Sequence, residues 1–215
     1  ISDNYSFSFE SKEPLNWKAG QHGLFNFKGE KLIKGNARMF SVASSPHEEM
    51  LTIGTKIGRH PSEFKAKLKA MEIGDSIFLR GPFGSFFVSS KNKNKNIALI
   101  GGGIGITPMR AILKDLEHRN TKKSVKLFYI DSNREYVFKD ELDKISSNNP
   151  RIKIVYLTDR KDLKENIVEY VKGNKNRSCY FISGNPNMVK EMKVMLKENG
   201  IKRRNSINDS FRGYK

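Results

Sequence analysis

The chain has 215 residues, of which 37% are hydrophobic and 29% charged, so it folds as one or two packed domains rather than staying disordered. Lys and Arg exceed Asp and Glu by 40 to 23, a net charge of +17 that favours nucleic acid, an anionic membrane face or an acidic protein as partner. One cysteine, Cys179, cannot close an internal disulfide or hold a cluster or a structural zinc alone, and His22, His47, His60 and His118 show no metal-ligand spacing.

The first ninety residues read as short strands. Tyr5, Phe7 and Phe9 alternate with serines in "YSFSFES", and "GLFNF", "RMFSVA", "MLTIGTKI" and "DSIFLRG" keep the same period of two. Such alternation, punctuated by Gly and Pro, predicts an antiparallel β-barrel or sandwich. One amphipathic helix interrupts it at "PSEFKAKLKAM", with Phe64, Leu68 and Met71 at helical spacing. Within "RMFS" an arginine, an aromatic ring and a hydroxyl stand almost side by side, which fits either a plain strand edge or a site for an anion, a flat ring and a polar ring atom.

"KNKNKN" (91–96) reads as a linker, giving domains 1–92 and 96–215. Beyond it, apolar strands at 97–100, 125–130, 152–157, 179–183 and 205–209 alternate with helices near 108–119, 138–146, 162–172 and 187–199. This pattern predicts an α/β domain with a parallel five-stranded sheet covered on both faces. The longest apolar run, Ile97–Ile106, falls well short of the roughly 20 residues of a membrane-spanning helix. No signal-peptide pattern opens the chain, and Ile1 in place of Met leaves room for segments upstream.

Two turns lead from strand to helix through glycine. "LIGGGIGITP" differs from G-x-G-x-x-G, but its glycines still allow a backbone to approach a diphosphate, and Thr107-Pro108 reads as an N-cap and first helical residue. "ISGNP" (182–186) is the second. Both belong at the C-terminal edge of a parallel sheet, where one dinucleotide could touch both.

"RMFS" (38–41), "GRHPS" (58–62), "GPFG" (81–84), "GGGIGITP" (101–108), "SNREYVFKDEL" (132–142), "ISGNPNMV" (182–189) and "DSFRGY" (209–214) occur in that order. Together they resemble the ferredoxin–NADP⁺ reductase family of flavoproteins over essentially the whole chain. The resemblance implies an FAD-binding barrel followed by a nicotinamide-nucleotide domain. It implies that Arg38 grips the FAD diphosphate, a task suited to forked, permanently charged donors. Met39 and Phe40 then line the flavin, with Phe40 against one ring face, and Ser41 bonds near the ring nitrogen that exchanges hydride. Backbone at Thr55, Lys56 and Ile57 borders the ring, Ser62 opens the barrel helix towards the diphosphate, and Gly81 to Gly84 let the domains approach.

In the second domain, Gly103, Gly105 and Thr107 are expected along the nucleotide diphosphate. Ser183 and Gly184 stand where many relatives carry Cys-Gly beside the nicotinamide. Phe211, in preference to Tyr214, is expected over the other flavin face, and Asp209 tunes the site or caps the last strand. Ser41, Ser183 and Phe211 are thus the residues assigned to the reaction itself. Thr158, Arg160 and Lys161, with Arg134 near, suit a 2′-phosphate, whereas Asp159 and Asp131 suit ribose hydroxyls; the balance leans to NADPH over NADH.

The implied activity is an FAD-dependent NAD(P)H reductase that passes electrons to a separate acceptor. That acceptor is an acidic ferredoxin- or flavodoxin-like protein, or a redox partner at the cytoplasmic face of a membrane. Reduction of free flavin or a ferric chelate is a further possibility, and a docking module that binds FAD without turnover is the rival of another class. The cytoplasm is the expected compartment. No nucleic-acid partner is expected, because the basic residues are dispersed and the aromatics fall in core periodicity.

Overall fold

The structure, a computed structural model, describes residues 3–29, 32, 35–92 and 95–210. Strand β1 (Asn4–Phe9) pairs antiparallel with β4 (Leu51–Lys56), while β2 (His22–Asn26) lies between β3 (Ala37–Ser41) and β5 (Phe78–Phe83) in a second antiparallel sheet. A bridge between Val42 and Ile53 joins the two sheets. Inward residues of the alternating strands, among them Phe25, Phe40, Val42 and Ile53, form one core. The short helix α1 (Glu63–Lys69) closes it with Phe64 and Leu68, an i, i+4 pair on one face. Each such side chain, fully buried, contributes about 1.5–3 kcal/mol. β5 starts three residues later than the alternation from Asp75 suggests, because the Asp75 carboxylate accepts from Glu72 N–H at 2.9 Å and closes a turn.

In the second half β6 (Asn96–Gly102), β7 (Val125–Ile130), β8 (Ile152–Leu157), β9 (Ser178–Gly184) and β10 (Ser206–Ser210) form a parallel sheet in the order β10-β9-β6-β7-β8. Alternate residues feed opposite faces. Ile97, Leu99 and Leu127 meet α2 (Thr107–His118) and α3 (Lys139–Asn148). Ala98, Ile100 and Phe128 meet α4 (Arg160–Asn174) and α5 (Pro186–Glu198). The two-domain expectation of an antiparallel barrel and a covered five-stranded parallel sheet therefore describes the molecule.

The barrel docks on the α2 face. Ala19 and Phe86 join that core, and the Phe86 ring meets Phe181 edge-on at 5.3 Å. The close approach is made at Gly20, where a Cβ would lie 2.1 Å from the Phe86 carbonyl oxygen and 3.0 Å from Ile112. Gly81 and Gly84, expected to serve this purpose, instead accommodate Phe83 and His22 within the barrel. The polar linker is also more tied down than its composition suggests. Asn92 is 7% exposed and donates to Cys179 Sγ, while Lys123 Nζ reaches the carbonyls of Asn92 and Lys95. Burial pushes the Cys179 thiol up, which keeps it an inert core group. Among the described residues no helix is long and apolar enough to cross a membrane.

Candidate active site

At one end of the barrel two cations share a small space. Arg38 lies 5.5 Å over the Phe64 ring and donates to the carbonyls of Gly35 and Ala37. Lys65 Nζ donates to the Lys56 carbonyl at 2.7 Å. Burial first, and then the nearby Arg38 charge, hold the Lys65 ammonium below its ordinary pKa. Among the described residues the recorded hydrogen bonds of both cations go to backbone carbonyls and not to a carboxylate. Two like charges that feel each other, with no carboxylate bonded to either among the described residues, would be eased by an anion between them. The donor set thus fits a diphosphate such as that of FAD. Ser62, expected here, is the N-cap of α1, its hydroxyl accepting from Lys65 N–H at 3.4 Å.

At the other end of β3, barrel and sheet meet. Ser41 Oγ donates to Asp209 Oδ2 at 3.0 Å, and Asp209 is the register partner of Ser183 on the neighbouring strand. Burial pushes the Asp209 carboxyl above its ordinary value, against the opposing effects of the Ser41 hydroxyl and His22. Ser183 is fully buried and its hydroxyl has no hydrogen-bond partner among the described residues. An orphaned hydroxyl at the C-terminal end of a parallel strand costs about 1–3 kcal/mol unless a ligand answers it, and a nicotinamide amide has both a donor and an acceptor to offer.

The glycine turn forms a 3-10 segment, Gly103–Ile106, that runs straight into α2. Gly103 takes φ +53° and has only Asp131 within 4 Å of a notional Cβ, so its backbone is bare, as close approach to a diphosphate requires. Gly105 is different: a Cβ there would meet Gly184 Cα and Ser183 O, each at 2.6 Å, so the two glycine turns are packed against each other. Thr107 does not cap α2. Its hydroxyl donates to the Ile104 carbonyl at 2.7 Å, and it faces Gly54 of the barrel.

At the outer rim, Asp159 caps α4 by accepting from Lys161 N–H and Asp162 N–H, and Asp131 Oδ1 accepts from Asn133 N–H and Glu135 N–H. Thr158 and Arg160 flank the Asp159 cap.

The expected flavin-lining side chains divide. Phe40 is 7% exposed and packs on Phe25 and Phe64 inside the barrel, whereas Met39, at 49%, is the open residue of the strand. The period of two explains this, since adjacent residues of β3 must face opposite ways. Thr55 and Ile57 are buried, and Ile57 N–H is taken by the Asp3 carbonyl. Lys56 is half-exposed and lies 3.8 Å from Glu135 across the domain boundary. Phe211 and Tyr214 lie outside the described residues.

Two features escaped the sequence reading. Lys65 looked like one more solvated lysine of α1. Arg110 is 8% exposed on α2 and binds Glu48 of the barrel and Glu141 of α3. Burial alone would lower its pKa, but hydrogen bonds to the two carboxylates leave it above its ordinary value. A signal existed in the second case: Arg110 is a lone charge between Met109 and the run Ala111-Ile112-Leu113.

Residues 99–193 match the family of oxidoreductase NAD-binding domains. Among curated proteins, the chain is 28% identical over 204 residues to a subunit of the Na(+)-translocating NADH-quinone reductase of Haemophilus influenzae, covering 82% of this chain and 48% of that one. The corresponding subunit of Methylococcus capsulatus is 28% identical over 214 residues, covering 87% and 52%. The chain thus spans about half the length of the curated relatives it matches. Among solved structures it resembles a cytochrome P450 reductase of Amycolatopsis, with TM-score 0.82 and 21% identity over 98% of this chain and 66% of that one. It likewise resembles a ferredoxin NADP+ reductase of Neisseria gonorrhoeae solved with bound FAD and NADP, with TM-score 0.79 and 23% identity over 97% and 92%.

Proposed function

We propose that this chain, an oxidoreductase domain of the ferredoxin–NADP⁺ reductase family, takes hydride from a nicotinamide nucleotide on to FAD and delivers the electrons to a separate acceptor. The observation that carries this reading is the meeting of Ser41 with Asp209, beside Ser183. Arg38 and Ser41 lie towards opposite ends of β3, and Asp209 brings the Ser41 end to the edge of the sheet that carries the glycine turns, an arrangement that supports placing FAD along β3 and the nucleotide beside Ser183. FAD, when bound, supplies the redox chemistry.

The chain's own residues supply position and electrostatics. Arg38 and Lys65 hold the FAD diphosphate. With its proton committed to Asp209, the Ser41 oxygen presents lone pairs to the flavin. Ser183 receives the nicotinamide amide, and Gly103 bares its amide to the nucleotide diphosphate. Burial of Ser41 and Ser183 where the two domains meet would exclude water from the reacting rings and hold them in register.

The rim carboxylates bear on the choice of nucleotide. Asp159 and Asp131 are each held by two backbone amides, so their charges are fixed after β8 and β7 and would repel a 2′-phosphate placed there. This outweighs the neighbouring Thr158 and Arg160 and favours NADH. The names of the curated relatives, NADH-quinone reductase subunits, support the same donor and an acceptor held in a larger assembly. The net charge of +17 supports an acidic redox protein or an anionic membrane surface beside that acceptor.

An anaerobic absorbance titration of the FAD-loaded protein tests the reading. Bleaching of the flavin band, faster with NADH than with NADPH, is expected. Tight FAD binding with no bleaching by either nucleotide makes the chain a docking module instead, and failure to bind FAD removes the assignment of Arg38.

A further inference from the structure

The guanidinium of Arg110 has five N–H donors, and all five are used. Nε and Nη2 donate to Glu141 Oε2, Nη1 donates to the Ala43 carbonyl at 3.0 Å and to Glu48 Oε2 at 3.0 Å, and Nη2 donates to Glu48 Oε1 at 2.9 Å. Glu48 is itself fixed, accepting from Ser45 N–H at 2.7 Å. These acceptors come from both domains. Ala43 follows Ser41 by two residues, and Arg110 follows Thr107 by three, so a single side chain spans from the flavin strand to the helix that starts at the glycine turn.

A merely adhesive interface does not need such a group. Apolar burial is non-directional and holds two domains together at many angles. A buried charge costs more than it returns unless its geometry is complete, and apolar replacements of buried ion pairs are often as stable. What five directed hydrogen bonds add is a fixed distance and angle. The surroundings agree. The Phe138 ring lies 5.2 Å from the guanidinium and within 3.6 Å of a notional Cβ on Gly54, and Phe138 holds φ +64°, a conformation that a bulky residue rarely adopts. The ion pair of Lys56 with Glu135 across the boundary is looser, at 3.8 Å and about 40% exposed.

We propose that Arg110 is a positioning residue that sets the spacing between the Ser41 end of the barrel and the glycine turn, and hence the approach of nicotinamide to flavin. This rests on the oxidoreductase reading above. All five donors of Arg110 are taken by protein acceptors, so its loss should alter geometry rather than cofactor contacts.

The test compares the full-length Arg110→Lys and Glu48→Gln variants with the parent protein. FAD content and the apparent Kd for NADH are expected to stay within about threefold. The limiting rate of flavin bleaching is expected to fall on the order of 10- to 100-fold, the scale of a misplacement of about 1 Å. In the ligand-free proteins, amide deuterium uptake in segments 43–50 and 103–110 should rise while uptake in β7 does not. A limiting rate equal to the parent's, or one that falls only in proportion to bound FAD, overturns the proposal. If Arg110→Lys does not take up FAD, Glu48→Gln decides by the same criteria, since it leaves the bonds to Ala43 and Glu141. If the parent itself does not bleach, the oxidoreductase reading fails, and the exchange data alone judge Arg110: unchanged uptake in 43–50 then overturns its positioning role.

Discussion

Arg38, Lys65 and Asp209 are ionisable side chains that hydrogen-bond to carbonyls or a hydroxyl, and each yields a measurable consequence. A hydrogen bond to a charged group is worth about 1.5–3 kcal/mol, so Arg38→Ala should weaken FAD binding about 10- to 100-fold. Flavin fluorescence titration measures this. Lys65→Met should weaken FAD in the same direction and reduce the salt dependence of binding, because one of the two neighbouring cations is gone. Asp209 tests the buried carboxyl. Its folded pKa is raised above the ordinary 3.8, so the folded state binds the proton more tightly than the unfolded one. Stability from this group is therefore full below the ordinary value and declines as pH rises through the folded value. Asp209→Asn should be free of that decline, so the parent's urea midpoint relative to the variant's should drop with rising pH across the acid range. A constant difference would contradict the shift. Arg38 was legible from its motif, whereas Lys65 was not, since a lysine on an amphipathic helix gives no sign of which neighbour its tip will meet.

The two glycine turns are alike in sequence but carry different physics. Gly105→Ala places a methyl 2.6 Å from the backbone of the second turn, which must move. Overpacking of this kind costs about 1–3 kcal/mol, and nucleotide affinity should fall with stability. Gly103→Ala makes only an ordinary contact with Asp131 among the described residues, so its cost is conformational, about 1–2 kcal/mol for the left-handed backbone. Chemical denaturation of both variants, followed by nucleotide titration, separates collision from strain. At the rim, Asp159→Ser keeps an N-cap for α4 while removing a charge. The ratio of NADPH to NADH bleaching rates should rise at least about fivefold with little change in stability; an unchanged ratio would clear Asp159 of any part in the choice. The periodicity of the strands made these elements readable in advance, and Thr107 shows the limit. Its spacing before Pro108 looked like a cap, but the preceding 3-10 turn claimed its hydroxyl, a competition between neighbouring hydrogen bonds that spacing does not reveal.

At the scale of the whole molecule, the charge and the domain junction govern function. Electron delivery to an acidic acceptor should slow about tenfold or more as salt rises from about 0.05 to about 0.5 M, while NADH bleaching changes by less than about threefold, because a surface field is screened and a buried cleft is not. Equal sensitivity of both steps would argue against an acidic partner. The strand and helix rhythms of the antiparallel and parallel halves and the glycine turns between strand and helix were determined by the sequence alone. Each of these is a local pattern, set by the period of a strand, the cap of a helix or the freedom of a glycine. Only the tertiary structure decided that Phe40 supports the barrel core while Met39 lies open, that Lys65 joins Arg38, that Asp209 meets Ser41, and that Arg110 ties Ala43 and Glu48 to α3. Those outcomes depend on residues as far apart as 168 positions in the chain and on which charges are buried together. Neither quantity has a period or a spacing in the sequence; both arise when two domains close on each other and buried polar groups are brought to partners distant in the chain.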